Sequence, residues 1–303
     1  MDVILHLGAQ RTASTTFQAY LDANAEWLLS RRIAAWGPKH TRRCGTLSGL
    51  LPGAGETQCA SSGRIAARDR LQTALAATED SGIDTLIVSD ENMLGTVRRN
   101  LRQKALYPDT SERTAHFAEA FGNRVKRLIL SIRAIDNYWA SAIAFGVGRG
   151  MRLPKADDLA ELAHNTRGWR DVLNDLHSAF PGVQIAVHRH ETHAGVPERK
   201  LAAVLPIPEA PPMKQAREWV HRGPDMNALR AILKARGAEA RALPHGEGRW
   251  MPFSPEQRFV LRETYADDLF WLTAGGGGFA TLLEDKQDSD QCPWLETAGQ
   301  TAA

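Results

Sequence analysis

Short, dense apolar runs alternate along this chain with longer stretches whose apolar positions recur at helical spacing. That is the pattern of an α/β protein built on a parallel sheet. Val3–Leu7 reads as the first buried strand, Gly8–Thr12 as the loop that leaves it, and the residues from about Ser14 to Leu29 as a helix with Phe17, Tyr20, Leu21 and Leu28 on one stripe. Ile33–Trp36, Asp84–Val88, Lys126–Ile132 and Val183–His188 read as further strands, and the apolar density of Lys126–Ile132 predicts burial on both faces. Helices are expected near Ile65–Glu79, after Asp136 as N-cap (carrying Tyr138, Trp139, Ile143 and Phe145), before Phe180-Pro181-Gly182, and over Pro224–Lys234 and Pro255–Leu272. Gly37–Gly63, rich in Gly, Ser, Thr and Pro, is long enough to be a lid or substrate loop, and Pro206–Pro212 breaks regular structure. Gly275–Gly278 and the polar residues beyond it predict a flexible tail. The expected organisation is one α/β domain over residues 1–273 and a C-terminal tail over 274–303, with no internal repeat.

Composition narrows the function classes. Lys and Arg number 37 against 35 for Asp and Glu, a net +2, which gives no electrostatic case for nucleic acid or an anionic membrane as the main partner. No stretch approaches the roughly 18 apolar residues of a membrane span, and Met1-Asp2-Val3 does not open a signal peptide. Cys44, Cys59 and Cys292 are too few and too scattered for a disulfide or zinc framework, so a reduced cytoplasm is expected. Arginine strongly outnumbers lysine, which favours forked, planar anion contacts.

The most informative segment is His6-Leu7-Gly8-Ala9-Gln10-Arg11-Thr12-Ala13-Ser14-Thr15-Thr16-Phe17-Gln18, a strand, a loop of small and hydroxyl residues, and a helix start. Free amides at a helix N-terminus, backed by the helix dipole, seat phosphate-like anions. Ser14, Thr15 and Thr16 add hydroxyls and Arg11 a fixed charge, although Ser and Thr also belong at any helix cap. The loop is not a Walker A motif: five residues after Gly8 stands Ala13 rather than glycine, and no lysine follows.

The segment resembles the 5′-phosphosulfate-binding loop of the sulfotransferase family, written H-x-G-x-x-K-[ST]-G-T-T-x-x-Q in its bacterial branch. His6, Gly8, Thr12, Thr15 and Gln18 match, Ser14 is a conservative match, Arg11 replaces the usual lysine and Ala13 the usual glycine. Alanine there is unstrained if its φ is negative and strained if it is positive. The resemblance covers mainly residues 1–150 and implies a three-layer, P-loop-NTPase-like parallel sheet flanked by helices. It implies a sulfotransferase that takes 3′-phosphoadenosine 5′-phosphosulfate as co-substrate, sulfates a hydroxyl or amine acceptor and needs no metal, with Gly8, Arg11, Thr12, Ala13, Ser14, Thr15 and Thr16 at the 5′ end.

In that family an arginine at a strand end and a serine eight residues later grip the donor's 3′-phosphate. Arg133, after Lys126–Ile132, and Ser141 match that spacing, and His221-Arg222-Gly223 is similar to a further loop at this phosphate. Sulfuryl transfer also needs a base near the acceptor hydroxyl. The family's carbohydrate-directed members use a glutamate after a central strand, which favours Glu91, with Asp90 open as its neighbour and a helix-capping pair as the bland alternative. Glu91 and Arg11 would be the catalytic residues. The three segments all follow strands, so in a parallel sheet they share its carboxyl edge, where ligands of open α/β sheets bind.

Weaker signals add little. His188-Arg189-His190-Glu191-Thr192-His193 places His188 and His190 on one strand face, but no second cluster has metal-site spacing. Trp36, Trp139, Trp169, Trp219, Trp250 and Trp271 read as core, with one of them free to stack on adenine. Two rival readings stay open: a protein that binds 3′-phosphoadenosine nucleotides without catalysis, and a nucleotide kinase with a degenerate loop. The acceptor (carbohydrate, lipid head group or small alcohol) and the oligomeric state have no readable code in the sequence.

Overall fold

The computed structural model describes residues 1–51, 61–205, 207, 211–218, 220, 223–237 and 243–283, the side chains of 61 and 62 excepted. Its centre is a six-stranded sheet in the order β2-β3-β1-β4-β5-β6. The strands are β1 (Asp2–His6), β2 (Ile33–Trp36), β3 (Thr85–Ser89), β4 (Val125–Ile132), β5 (Gln184–Arg189) and β6 (Ala280–Leu283), and every pairing is parallel. Helices α1 (Ser14–Ala23), α2 (Ala25–Leu29), α3 (Ser61–Asp80), α4 (Val97–Gln103), α5 (Thr110–Phe121), α6 (Ile135–Gly148), α7 (Ala156–His164), α8 (Trp169–Ala179), α9 (His190–His193), α10 (Pro197–Ala202), α11 (Met226–Ala235) and α12 (Pro255–Thr273) surround it. The fold is α/β with an all-parallel sheet between helical layers, and no helix of the described residues is long and apolar enough to cross a membrane.

Strand alternation divides the core into two layers. Val3, Leu5, Val88, Leu128, Leu130 and Val187 face a large cluster completed by α3, α5, α6, α8 and α12. Ile4, Ile87, Ile129 and Ala186 face a smaller one, closed by Phe17, Tyr20 and Leu21 of α1, Leu28 of α2 and Leu201 of α10. Both faces of the central strands are therefore dry, as their continuous apolar runs predict.

Three expectations need correction. The helix read over Ser14–Leu29 breaks at Asn24, whose side-chain amide donates to the Tyr20 carbonyl at 2.7 Å and to that of Lys214 at 3.0 Å, so local capping outcompetes continuation. Asp136 does not cap α6. Ala134 holds that position, and the buried Asp136 carboxylate faces Arg262 at 2.9 Å and Arg258 at 3.6 Å. The tail read from residue 274 instead adds β6 to the sheet edge after the Gly275–Gly278 turn. Only 284–303 remain of it, outside the described residues. Within Gly37–Gly63 the chain forms a helical turn over Lys39–Arg43, and 52–60 lie outside the described residues.

The chain leaves β1 toward β2 on one side of the sheet and returns from β3, across β1, to β4 on the other. The carboxyl ends of β1 and β4 thus flank the topological switch point, where the crevice of such a sheet opens.

Candidate functional site

The loop after β1 is held in a demanding shape. Gly8 has φ 26°, and a Cβ there would stand 2.5 Å from Ser14 Oγ and 2.7 Å from His6 Cε1, so no side chain fits. Arg11 and Ala13 are both left-handed, at φ 67° and 66°. For Ala13 this is the strained alternative, costing roughly 1–2 kcal/mol. A left-handed Ala13 followed by right-handed helix turns successive amides toward one side, the concave arrangement that receives anions. Among the described residues no acceptor takes the amides of Arg11 through Thr16.

The hydroxyls mostly turn inward. Thr12 Oγ1 donates to the Ala9 carbonyl, and Ser14 Oγ to those of Gly8 and Ala9 at 3.2 and 3.3 Å. Thr16 Oγ1 accepts from the Val220 amide at 3.2 Å. Thr12, Ser14 and Thr16 therefore brace the loop, while half-buried Thr15 has no partner among the described residues. Gln10 anchors the outer side: its amide donates to Tyr107 Oη at 2.7 Å, its Nε2 to Asn92 at 2.7 Å, and its Oε1 accepts from the Val97 amide at 2.6 Å.

Arg11, Arg133 and Ser141 meet. Arg11 Nε donates to Ser141 Oγ at 3.0 Å, and Arg133 Nη1 donates to the Arg11 carbonyl at 2.9 Å. The Arg133 carbonyl accepts from Trp169 Nε1 at 2.8 Å, which fixes the strand end. Arg133 is only 4% exposed, and its buried Nε has no partner among the described residues. Gly223 brings its backbone against the same group, since a Cβ there would lie 2.7 Å from Arg11 Nη2; residues 221 and 222 lie outside the described residues.

The field of this pocket is positive. Burial and then the charge of Arg249 push Arg133 down to about 10, and the same two causes, in that order, lower Arg11. The acids nearby are already engaged: Asp136 with Arg262, and Glu191 with the Ala134 amide at 2.9 Å and Tyr265 Oη at 3.1 Å. Crowded guanidinium groups relieve their mutual repulsion by taking an anion.

Asp90 and Glu91 separate clearly. Asp90 is fully buried and accepts from Thr41 Oγ1 at 2.6 Å, the Asn92 amide at 2.9 Å and Arg42 through both Nε and Nη2, a structural clamp. Glu91 accepts from Gln18 Nε2 at 2.9 Å and Arg42 Nη2 at 2.8 Å. Burial works to raise its pKa, but Arg42 and Gln18 outweigh it and hold the carboxyl below the usual glutamate range.

Beneath the loop, His6, Ser89, Ser131 and His188 form a buried polar row across four strands. His6 Nδ1 lies 2.7 Å from Ser89 Oγ, and Lys200 Nζ donates to Ser131 Oγ at 2.9 Å. His188 and His190 do not share a strand face, because β5 ends at Arg189 and His190 opens α9. His190 instead engages the Thr12 backbone, and burial followed by the Arg133 charge lowers it to about 3. Trp36, Trp139, Trp169 and Trp250 are core, Trp271 is partly buried against it, and Trp219 lies outside the described residues.

The sequence did not point to Arg42 or Arg249, and it singled out His190 only as a weak metal candidate. Arg42 stands in a single helical turn too short to show a period, Arg249 in an irregular segment, and His190 follows a strand whose end the sequence does not mark. Compared with known proteins, the chain matches no family model, no curated protein and no solved structure.

Proposed function

We propose that the chain is a sulfotransferase that moves a sulfuryl group from 3′-phosphoadenosine 5′-phosphosulfate to a hydroxyl acceptor, on a P-loop-like variant of the parallel α/β fold. One observation carries this reading: Arg11 contacts both Arg133 and Ser141, more than 120 residues away in sequence, at the switch point beside an amide cradle without an acceptor among the described residues. A ligand with anionic groups at both ends suits that arrangement, with the 5′ end over the amides of Arg11 to Thr16 and the 3′-phosphate against Arg133 and Ser141.

In this reading Glu91 accepts the proton of the acceptor hydroxyl. The acceptor oxygen bonds to sulfur as the bond from sulfur to the bridging phosphate oxygen breaks. Arg11 and the loop amides stabilise the charge that grows on that oxygen, an electrostatic contribution of about 2.7–4 kcal/mol for a single donor in comparable sites. The exposed free thiol of Cys44 fits a reducing cytoplasm as the working compartment.

The engagement of Glu91 by both Gln18 and Arg42 favours a second reading, a protein that binds the nucleotide without transferring sulfate. Calorimetric titration with 3′-phosphoadenosine 5′-phosphate, ATP and AMP tests the shared part. Preference for the 3′-phosphorylated ligand is expected, and equal affinity for ATP defeats both readings. Label transfer from the sulfated donor across an acceptor panel then separates them.

A further inference from the structure

α4 carries Arg98 in its first turn and repeats the charge one turn later at Arg102, an i,i+4 pair of like sign that isolated helices disfavour. The chain leaving α6 adds Arg149 and Arg152 on either side of Gly150, which turns outward at φ 103°. These four side chains rim a cleft of about 270 Å³ floored by Val97 and Phe145. Arg152 is partnered by Asp158 at 2.9 Å, whereas Arg98, Arg102 and Arg149 meet no carboxylate among the described residues. Among the described residues no acidic side chain lines the cleft.

The cleft adjoins the anion loop through two contacts. The Arg11 guanidinium lies 5.0 Å from the centroid of the Phe145 ring, and that of Arg149 also 5.0 Å from it, so one ring serves both places. Val97, at the start of α4, donates its amide to Gln10 of the loop at 2.6 Å, which fixes the arginine-bearing helix relative to the loop. The loop and the Arg133–Ser141 pair account for the charges of the nucleotide, and these further cations remain for something else. Solvated surface arginines ordinarily spread over a face and pair with acids; here they converge on a concave site that shares Phe145 and Val97 with the surroundings of the loop.

We propose that this cleft is the acceptor seat, and that it selects an acceptor carrying its own carboxylate or sulfate group next to the hydroxyl to be modified. The proposal rests on the sulfotransferase reading for the word acceptor and on the cleft alone for the anion.

The test is calorimetry on the intact protein saturated with 3′-phosphoadenosine 5′-phosphate, using tetragalacturonate, a sulfated tetrasaccharide and neutral maltotetraose as probes. At least one anionic probe is expected to bind, with an affinity that falls as salt is added, and maltotetraose is expected to bind at least tenfold more weakly. The double variant Arg98→Ser/Arg102→Ser should lose at least tenfold in anionic-probe affinity while keeping its melting temperature, since both side chains are exposed, and its nucleotide affinity. Equal binding of all three probes, or anionic binding untouched by the double variant, overturns the proposal. If the nucleotide itself does not bind the wild type, the sulfotransferase reading falls. A variant-sensitive anionic response in that same experiment then leaves an anion cleft that is not an acceptor seat.

Discussion

Arg133 donates to the backbone carbonyl of Arg11 at 2.9 Å, so the end of β4 holds the loop after β1 across the switch point of the sheet. The bond commits one end of the Arg133 fork to shape and leaves the buried Nε over for a ligand. Arg11 in turn reaches Ser141 through Nε and brings Nη2 against Gly223.

Arg133→Ala should therefore do two things, loosen the loop and remove a charge from the proposed 3′-phosphate seat. Its affinity for 3′-phosphoadenosine 5′-phosphate is expected to fall tenfold or more, in line with the roughly 1.5–3 kcal/mol of a hydrogen bond to a charged group. Arg11→Ala is expected to fold normally and to lose transfer by about 10²–10³. Unchanged nucleotide affinity in the first variant, or near-wild-type transfer in the second, would take that residue out of the site.

Ala13 occupies a left-handed conformation that glycine adopts without strain. Relief of roughly 1–2 kcal/mol, less roughly 0.5–1 kcal/mol for the freer unfolded chain, predicts that Ala13→Gly stabilises the protein. Thermal melts should show a rise of a few degrees. Gly8→Ala should move the other way, because its Cβ would sit 2.5 Å from Ser14 Oγ. An Ala13→Gly protein no more stable than the wild type would show that the loop is not strained at this position.

Glu91→Gln keeps the shape of the side chain and removes its basicity. Transfer should drop by about 10²–10⁴ with nucleotide affinity retained, the signature of a lost general base. Because Arg42 and Gln18 hold the Glu91 carboxyl below the ordinary glutamate range, the acid limb of the pH–rate profile should lie below that range too. An acid limb above it would assign the proton to another group.

Lys200 offers a readout of stability. It is buried in the polar row with Ser131 Oγ as its hydrogen-bond partner, Phe17 facing it at 5.3 Å, and His6 and His188 near it. Burial lowers it from 10.5 to about 7. Between those values the unfolded chain holds a proton that the folded one has shed. Stability from this group therefore rises with pH from about 7 to 10.5, with a slope of at most about 1.4 kcal/mol per pH step of one, and stays at its low, level value below 7. Lys200→Met should flatten that rise and stabilise the protein most below pH 7, as measured by urea unfolding at pH 6 and pH 9. A slope that persists in the variant would point to another group.

The strands were legible because each is a compact apolar run buried on both faces, and β1, β3 and β4 appear within one residue of where that density places them. The approach of Arg133 and Ser141 to Arg11 was legible only through the spacing of those residues beside a loop of recognisable type. β6 was not, because its four residues directly after four glycines make too short an apolar run to stand out from a glycine-rich turn. α4 and α5 escaped for the opposite reason, as their buried positions (Val97, Asn100, Thr114, Phe117) are partly polar and blur the helical stripe. Arg42 reaches the site from a single five-residue helical turn and Arg249 from irregular backbone, neither long enough in regular structure for a period to link a residue to its direction.

β1 pairs with β3 and β4 but with no strand adjacent to it along the chain: Asp2 lies opposite Thr85, and Val3 opposite Val125. Pairings of such span close slowly. A nascent chain that has emerged only through α1 therefore carries the whole recognition motif and none of its grip, which is a late product of folding. A bound nucleotide would consequently retard the unfolding of finished molecules rather than hasten the assembly of new ones.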